Sequence, residues 1–204
     1  MNNDYDMYSL CIMGIFISFL GFILENIWLA ITKGFIDNRN MHLPFLLGYG
    51  MVVIGIYFLF GTPQKVVMFG KWNVHEGGKS LYFVMTFLVV SFGEFLLGTI
   101  MERLCKFNYW NYEWLPLHFG KYVSVFTSLG FTMIIFLFME YVFPAGMRLI
   151  YANRHGLTKI ACLCITAAMI LDFLMSFYQM YQAQGGNTIW KINLTQGGLN
   201  RQVM

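Results

Sequence analysis

The run YSLCIMGIFISFLGFILENIWLAI, residues 8–31, decides the fold class because it is apolar almost throughout. A helix needs about 20 such residues to cross the roughly 30 Å of hydrocarbon in a bilayer. Glu25 and Asn26 are the strongly polar side chains in the run. A charged side chain at the bilayer centre costs about 2.5–3.5 kcal/mol on insertion scales, and such residues usually have a function. Glu25 is therefore the first candidate functional residue.

The composition of the 204-residue chain is that of a membrane protein. Hydrophobic residues make up 58% of it and charged residues only 11%, whereas soluble domains carry roughly a quarter charged residues. The apolar runs are continuous rather than alternating, which favours helices over a β-barrel. We predict an all-α polytopic membrane protein with about five transmembrane helices, at residues 8–31, 45–60, 81–100, 122–143 and 160–180.

The remaining sequence predicts one membrane domain, residues 1–181, and a polar, frayed C-terminal tail, residues 182–204. No GxxxxGK[ST] phosphate loop and no HxxxH or HExxH pattern occurs, so we expect no nucleotide-binding domain, metal site or cofactor. The net charge of +3 gives no reason to expect a nucleic-acid partner. The tail is predicted from its polar residues and glycine pairs.

The basic residues are divided almost equally between the two possible orientations of the chain in the membrane. An N-terminus outside the cell places seven basic residues of the loops and tail in the cytoplasm, and the opposite orientation places six there. The positive-inside rule does not decide on that difference, and we favour the N-terminus outside only by this margin.

Two spans carry small and polar residues on the same helical face as a carboxylate. Such faces point at a neighbouring helix or a wet cavity rather than at lipid. The carboxylates either line a functional site or, when protonated, hold helices together by hydrogen bonds. The face in the first span comprises Gly14, Ser18, Gly21, Glu25 and Thr32, and the face in the third comprises Ser91, Glu94, Gly98 and Glu102.

A short internal similarity relates two halves of the chain. Glu25 is followed by a polar loop and LPF at residues 43–45, and Glu94 is followed by a polar loop and LPLHF at residues 115–119. This pattern predicts a parallel repeat of two helical hairpins, with Glu25 and Glu94 at equal depth on a common seam. Arg39 and Lys121 lie in the loops, where they could approach the carboxylates or bind an anion.

An aromatic stretch, NYWNYEWL at residues 108–115, precedes the fourth span. Aromatic residues concentrate where membrane meets water, so a membrane-surface belt explains this stretch. A stacking platform for a ligand is the alternative, and it would involve Trp110 and Tyr112.

The chain resembles bacterial ABC-transporter permease proteins of the CmpB type over about residues 21–143. The residues that carry the resemblance are Glu25, Asn38-Arg39, Pro44-Phe45, Tyr49-Gly50, Glu94, Glu102, Trp110-Asn111-Tyr112 and Gly120-Lys121. The resemblance implies that Glu25, Arg39, Glu94, Glu102, Trp110 and Tyr112 belong to one cluster, and that the protein takes part in transport.

The chain departs from that family at four places in the loops. Asn40 stands where the family has Gly, and Leu46-Leu47 replace a Cys-Pro pair. Asn111 replaces the Asp of a Trp-Asp-Tyr loop, and Lys121 replaces Arg. The change at Asn111 removes one negative charge from the site that the resemblance implies.

These features lead to one functional hypothesis and two alternatives. The first is a permease-like subunit of unknown substrate that associates with itself, or with a separate membrane or ATPase subunit, in contact with membrane lipid. The second is a membrane enzyme acting on a lipid or lipid-linked substrate through Glu94, Glu102, Arg39, Lys121 and His118, with a carboxylate as general base. The third is an assembly or regulatory subunit without a ligand. The candidate binding residues are Glu25, Arg39, Glu94, Glu102, Trp110, Tyr112 and Lys121.

Overall fold

The computed structural model describes residues 5–153, 156–194 and 202–203. Within these ranges five helices confirm the predicted all-α polytopic architecture. Four of the helices are long and apolar enough to cross a membrane, and the second is shorter. The helices are α1 Met7–Lys33, α2 Leu47–Phe60, α3 Gly78–Cys105, α4 Val125–Ala152 and α5 Gly156–Ala183.

The ends of α1 follow from capping chemistry. Asp6 precedes the helix in an extended conformation, and its side chain accepts a hydrogen bond from the Ser9 backbone N–H at 3.4 Å. Gly34 ends the helix with φ 70°, a left-handed conformation that glycine adopts without a steric penalty. The helix is therefore slightly longer than the apolar run that predicted it.

A π-helical turn lets α4 continue past Pro144, where the sequence predicted the span to end. Proline has no N–H for the carbonyl four residues earlier, which here belongs to Glu140. The turn Phe138–Val142 accommodates this mismatch, and the freed Glu140 carbonyl accepts a hydrogen bond from Gln64 Nε2 at 2.8 Å. The helix then runs on to Ala152.

The helices alternate in direction, and this gathers the connecting segments on two faces. Gly14 of α1 lies against Ile54 of α2, and Met13 lies against Gly146 of α4, as expected for antiparallel neighbours. Residues 34–46, 106–124 and 184–194 form one face, which we call the loop face. Residues 61–77 lie at the opposite face, which we call the hairpin face. A core of large apolar side chains packs between α1, α2, α3 and α4 and includes Met13, Ile56, Tyr82, Met139 and Phe143.

Short antiparallel strands occupy both faces. Periodicity could not have predicted them, because each has only two to four residues. On the hairpin face β2 Gly61–Thr62, β3 Lys65–Met68 and β4 Trp72–Val74 form one sheet. On the loop face β5 His118–Phe119 pairs with β6 Val123–Ser124, and β1 Phe35–Asp37 pairs with β7 Trp190–Asn193, which pairs with β8 Gln202–Val203.

The pairing of β1 with β7 corrects the prediction that the C-terminal tail is frayed from residue 182. The last helix continues to Ala183, and Ile192 lies opposite Ile36 in the small sheet. Backbone pairing with β1 supplies the order that the polar composition does not predict. Residues 195–201 and 204 of the predicted tail lie outside the described residues.

Asn38 connects residues 187–189 to the loop between α1 and α2 by hydrogen bonds, and replacing it tests that role. Its side chain donates to the carbonyls of Met41 and Asn187, both at 2.9 Å, and accepts from Ile189 N–H at 3.0 Å. We expect Asn38→Ala to speed amide hydrogen exchange over residues 187–193 by roughly ten- to hundredfold, because buried polar partners lose their bonds. The exposed Asn73→Ala is the control, and equal exchange in both variants would contradict this role.

Candidate functional site

Glu25 lies in an ion cluster between α1, α2 and the first loop. Its Oε2 is 3.3 Å from the Arg39 guanidinium, and its Oε1 accepts a hydrogen bond from the Tyr49 hydroxyl at 2.6 Å. Gly21, one turn earlier, makes the contact with Tyr49 feasible, because a Cβ there would come within 2.5 Å of the Tyr49 ring. The glycine on the predicted small-residue face therefore lets the phenol reach the carboxylate.

Arg39 is held from several directions. Its backbone has φ 49°, a left-handed conformation that is uncommon for residues other than glycine. Its N–H donates to Asp37 Oδ1 at 2.8 Å, and its guanidinium lies 5.5 Å from the centroid of the Tyr109 ring. The Tyr109 hydroxyl donates to the Arg39 carbonyl at 2.6 Å. These contacts fix the guanidinium, whose side chain is only 10% exposed.

Glu94 joins the cluster through Tyr112. Glu94 Oε2 accepts a hydrogen bond from the Ser128 hydroxyl of α4 at 2.6 Å. Burial raises the pKa of Tyr112, and the charges of Glu94 and Glu25 raise it further. The phenol thus remains protonated at neutral pH and lies within the field of both carboxylates. Glu25, Arg39, Glu94 and Tyr112 thus lie near one another in the structure, and they are four of the six residues that the resemblance groups in one cluster.

Carboxyl groups outnumber basic groups in this cluster. Glu25 and Asp37 both lie within ion-pair distance of the Arg39 guanidinium, and Glu94 is linked to them through Tyr112, so three carboxyl groups accompany one guanidinium among the residues described around the site. Burial raises the pKa of Tyr109 to about 12, so this phenol too stays neutral. The cluster therefore holds more carboxyl groups than basic groups, a composition that suits a positive or hydrogen-bond-donating ligand.

Glu102 and Lys121 form a second, more exposed pair. Lys121 Nζ donates to Glu102 Oε1 at 2.5 Å, and the two side chains are 40% and 38% exposed. The hydrogen bond to Glu102 raises the pKa of Lys121. Trp110 packs between the two groups of residues: its ring contacts that of Tyr109, and its Nε1 donates to the Tyr122 carbonyl at 2.9 Å.

The tertiary contacts give a different residue correspondence between the two hairpins from the one predicted from the sequence. Gly98 lies against the Tyr122 ring as Gly21 lies against Tyr49, and each glycine stands four residues before a glutamate that is close to the same tyrosine. This common pattern aligns Glu25 with Glu102. The internal similarity in the sequence had paired Glu25 with Glu94, and the tertiary contacts do not support that pairing.

Several polar residues of the cluster were not selected from the sequence. Asp37 and Tyr109 contact Arg39, Tyr49 contacts Glu25, and Ser128 contacts Glu94. Asp37 stands two residues before Arg39, a spacing that could have signalled an interaction. Tyr109 belongs to the aromatic stretch noted in the sequence, but its contact with Arg39, like that of Ser128 with Glu94, depends on how the chain packs.

His118, a candidate of the enzyme hypothesis, lies apart from the cluster, and so does the buried Asp172. The exposed His118 ring donates to the Gly120 carbonyl, so it is not gathered with Glu94 and Arg39. Asp172 of α5 accepts hydrogen bonds from the backbone N–H groups of His42 and Leu43, both at 3.0 Å, which anchors the first loop. No group of three or more metal-ligating side chains occurs in the described ranges.

A comparison with protein families decides the identity of the chain. The model of a family described as "Putative ABC-transporter type IV" matches residues 12–177. The chain belongs to this family. The match includes Glu25, Arg39, Glu94 and Tyr112 and ends before β7. No curated protein and no solved structure is significantly similar to the chain. Membership of this ABC-transporter family and four apolar helices of membrane length together indicate a transport-related membrane subunit.

Proposed function

We propose that this family member is the permease-like subunit of an ABC-type transport system, and that its ligand site is the cluster of Glu25, Arg39, Glu94 and Tyr112. The observation that carries the proposal is the cluster itself. Its charged groups come from two long helices and a loop and are held in place by neighbouring tyrosines. Ionisable groups that face the interior of a helical bundle usually mark a substrate or ion pathway.

The composition of the site supports a cationic substrate. The cluster has three carboxyl groups for one guanidinium, which favours positive charge, and the Tyr109 ring faces a cation already, since the Arg39 guanidinium lies 5.5 Å from its centroid. We therefore place the ligand among Glu25, Glu94 and Tyr112. In this proposal Arg39 sets the positions of the carboxylates and repels surplus cations.

The second pair, Glu102 and Lys121, has a supporting role in this proposal. It fixes the loop that carries Trp110 and Tyr112, since Trp110 bonds the backbone next to Lys121. We assign the loop face to the cytoplasm, in line with an N-terminus outside. The phosphate loop of an ATPase does not occur in the chain, so the ATPase would be a separate subunit docking at this face.

Purification from native membranes in a mild detergent tests the proposal. A tagged chain is expected to recover either an ATPase subunit or further copies of itself, identified by mass spectrometry and by the mass of the complex. An unrelated tagged membrane protein of similar size is the control. A strictly monomeric protein without a partner would contradict a subunit of a transport system.

A further inference from the structure

The sheet formed by β2, β3 and β4 folds back along the last turn of α2. This helix has 14 residues, so it is about 21 Å long, whereas the hydrocarbon layer of a bilayer is roughly 30 Å thick. The Phe69 backbone N–H donates to the Leu59 carbonyl at 2.5 Å, and the rings of Phe69 and Phe60 are 6.1 Å apart. The sheet therefore lies beside the end of a membrane helix and does not project away from it.

The same sheet is level with the first two turns of α3. Val66 of β3 lies 3.3 Å from the position of a Cβ at Gly78, the first residue of α3, and the Phe60 ring is 6.5 Å from that of Tyr82. Tyr82 belongs to the apolar run of residues 81–100 that predicted the third span. The sheet is therefore placed where the hydrocarbon layer meets the lipid headgroups on this side of the membrane.

Two large aromatic side chains of this sheet and its turn face outward. Phe69 and Trp72 are 54% and 64% exposed, and their rings are 6.4 Å apart. Exposed apolar patches of this kind mark contact with a partner or a membrane, and aromatic residues concentrate where membrane meets water. The Phe69–Trp72 pair therefore provides an apolar surface for lipid chains at the level of the headgroups.

A cavity of about 210 Å³ lies between this sheet and the ends of the neighbouring helices. One water molecule needs only about 10–15 Å³, so the space suits a larger group. The lining includes three residues with hydroxyl groups, Tyr5, Tyr57 and Thr62, together with Lys65. Among the described lining residues one is basic and none is acidic. The cavity therefore suits an anionic group with several acceptor oxygens.

Basic residues also outnumber acidic residues at this end of the bundle. Glu140 is occupied by Lys79, whose Nζ lies 2.5 Å from its Oε1, and the charge that remains is positive. A positive surface beside a membrane attracts anionic lipid headgroups. The described basic residues at this end are Lys65, Lys71, Lys79, Arg148 and Lys159, and the described acidic residues are Asp6, Glu76 and Glu140.

We propose that the cavity binds the phosphate-bearing headgroup of an anionic phospholipid, whose acyl chains lie against Phe69 and Trp72. Lys65 pairs with the phosphate, and hydroxyl groups of the lining donate to its remaining oxygens. Gly70 lines the cavity and follows Phe69 in the chain, so the polar lining and the aromatic pair adjoin. A soluble phosphate compound has the same charge but no chains that could use the aromatic pair.

Lys65→Gln and Lys71→Gln form a matched pair of variants. Both lysines are exposed and each change removes one positive charge, but of the two Lys65 lines the cavity. The site predicts that Lys65→Gln weakens lipid binding by about tenfold or more, because a hydrogen bond to a charged group is lost, whereas Lys71→Gln changes it by less than about twofold. General attraction between a positive surface and anionic lipid predicts equal losses.

Thr62→Val is a second cavity variant that nearly preserves the shape of the side chain and removes its hydroxyl group. Thr62 lines the cavity at the end of β2, where valine is well tolerated in a strand. Loss of one hydrogen bond is expected to weaken lipid binding by about two- to tenfold.

The experiment titrates the purified full-length chain in detergent with phosphatidylglycerol and counts bound lipid by native mass spectrometry. Phosphatidylcholine with the same acyl chains and soluble glycerol phosphate are the comparison ligands, and thermal melting shows that each variant is folded. We expect one phosphatidylglycerol molecule to bind the wild type about tenfold more tightly than phosphatidylcholine, because the choline group cancels the negative charge. Glycerol phosphate at the same concentration is expected to leave the lipid bound.

The proposal is overturned if the two lysine variants lose affinity equally, if the wild type binds both lipids alike, or if glycerol phosphate displaces the lipid, since the last result indicates a site for a soluble anion. Should Lys65→Gln fail to fold, unchanged binding in the folded Thr62→Val overturns it instead. Lipid binding at this site needs neither an ATPase nor the carboxylate cluster, so this result and that of the purification experiment are independent.

Discussion

Arg39→Gln is expected to lower the melting temperature of the detergent-solubilised protein by about 6–20 °C. The guanidinium lies 3.3 Å from Glu25 and 3.6 Å from Asp37 and is largely buried. Removing one partner of a buried ion pair costs about 3–5 kcal/mol, because the remaining charge has no compensation. For a chain of this length each kcal/mol corresponds to about 2–4 °C. Thermal melting followed by circular dichroism measures the shift.

Two further variants distinguish the effect of losing the ion cluster from the effect of merely losing a positive charge. Arg103→Gln removes an exposed arginine at the end of α3 and is expected to change the melting temperature little. Adding Glu25→Gln to Arg39→Gln should recover part of the loss, since the uncompensated carboxylate is then gone. Equal melting temperatures for Arg39→Gln and Arg103→Gln would show that the cluster does not stabilise the fold.

Gly98→Ala is expected to have the second largest effect, a loss of about 1–3 kcal/mol, because it overpacks the contact between α3 and the start of α4. A Cβ at this position would overlap the ring of Tyr122, which is only 5% exposed. The ring cannot move freely, since its hydroxyl donates to Asn108 and its backbone carbonyl accepts from Trp110. Melting in the same detergent, together with tryptophan fluorescence, would report the change.

Gly93→Ala is the matched control on the same helix. No atom lies within 4 Å of a Cβ built at Gly93. Alanine is favoured over glycine by about 1 kcal/mol in a helix, so this variant should be as stable as the wild type or more so. If Gly98→Ala also proves stabilising, the close approach of Tyr122 to α3 is not a determinant of this fold.

The helices could be predicted from the sequence because hydrocarbon thickness and continuous apolar runs determine them. The end of α4 could not, since it depends on a π-helical turn and on Gln64 satisfying the Glu140 carbonyl. The order of Trp190–Asn193 was missed for the same reason, as its partner strand lies far away in the chain. Local composition does not contain such distant contacts.

In the candidate site, too, some residues could be predicted from the local sequence and others depend on contacts between distant parts of the chain. Glu25 and Glu94 stand out because a carboxylate in an apolar run is costly. Arg39 was noted as a basic loop residue and Tyr112 as part of the aromatic stretch, and the resemblance grouped both with the carboxylates. The partners that set their geometry, Tyr49 and Ser128, have their role only through helix packing. The alignment of Glu25 with Glu102 likewise depends on a glycine and a tyrosine that meet only in the folded chain.

The claim that Glu25 and Glu94 act as one site is tested most directly by a double-mutant cycle in a single growth or transport assay. Glu25→Gln, Glu94→Gln and the double variant are compared with the wild type, after each is shown to reach the membrane. Both carboxylates act on Tyr112, so the account predicts that each single change impairs function and that the double variant loses less than the sum. Strictly additive losses, or two single variants with full function, would contradict it.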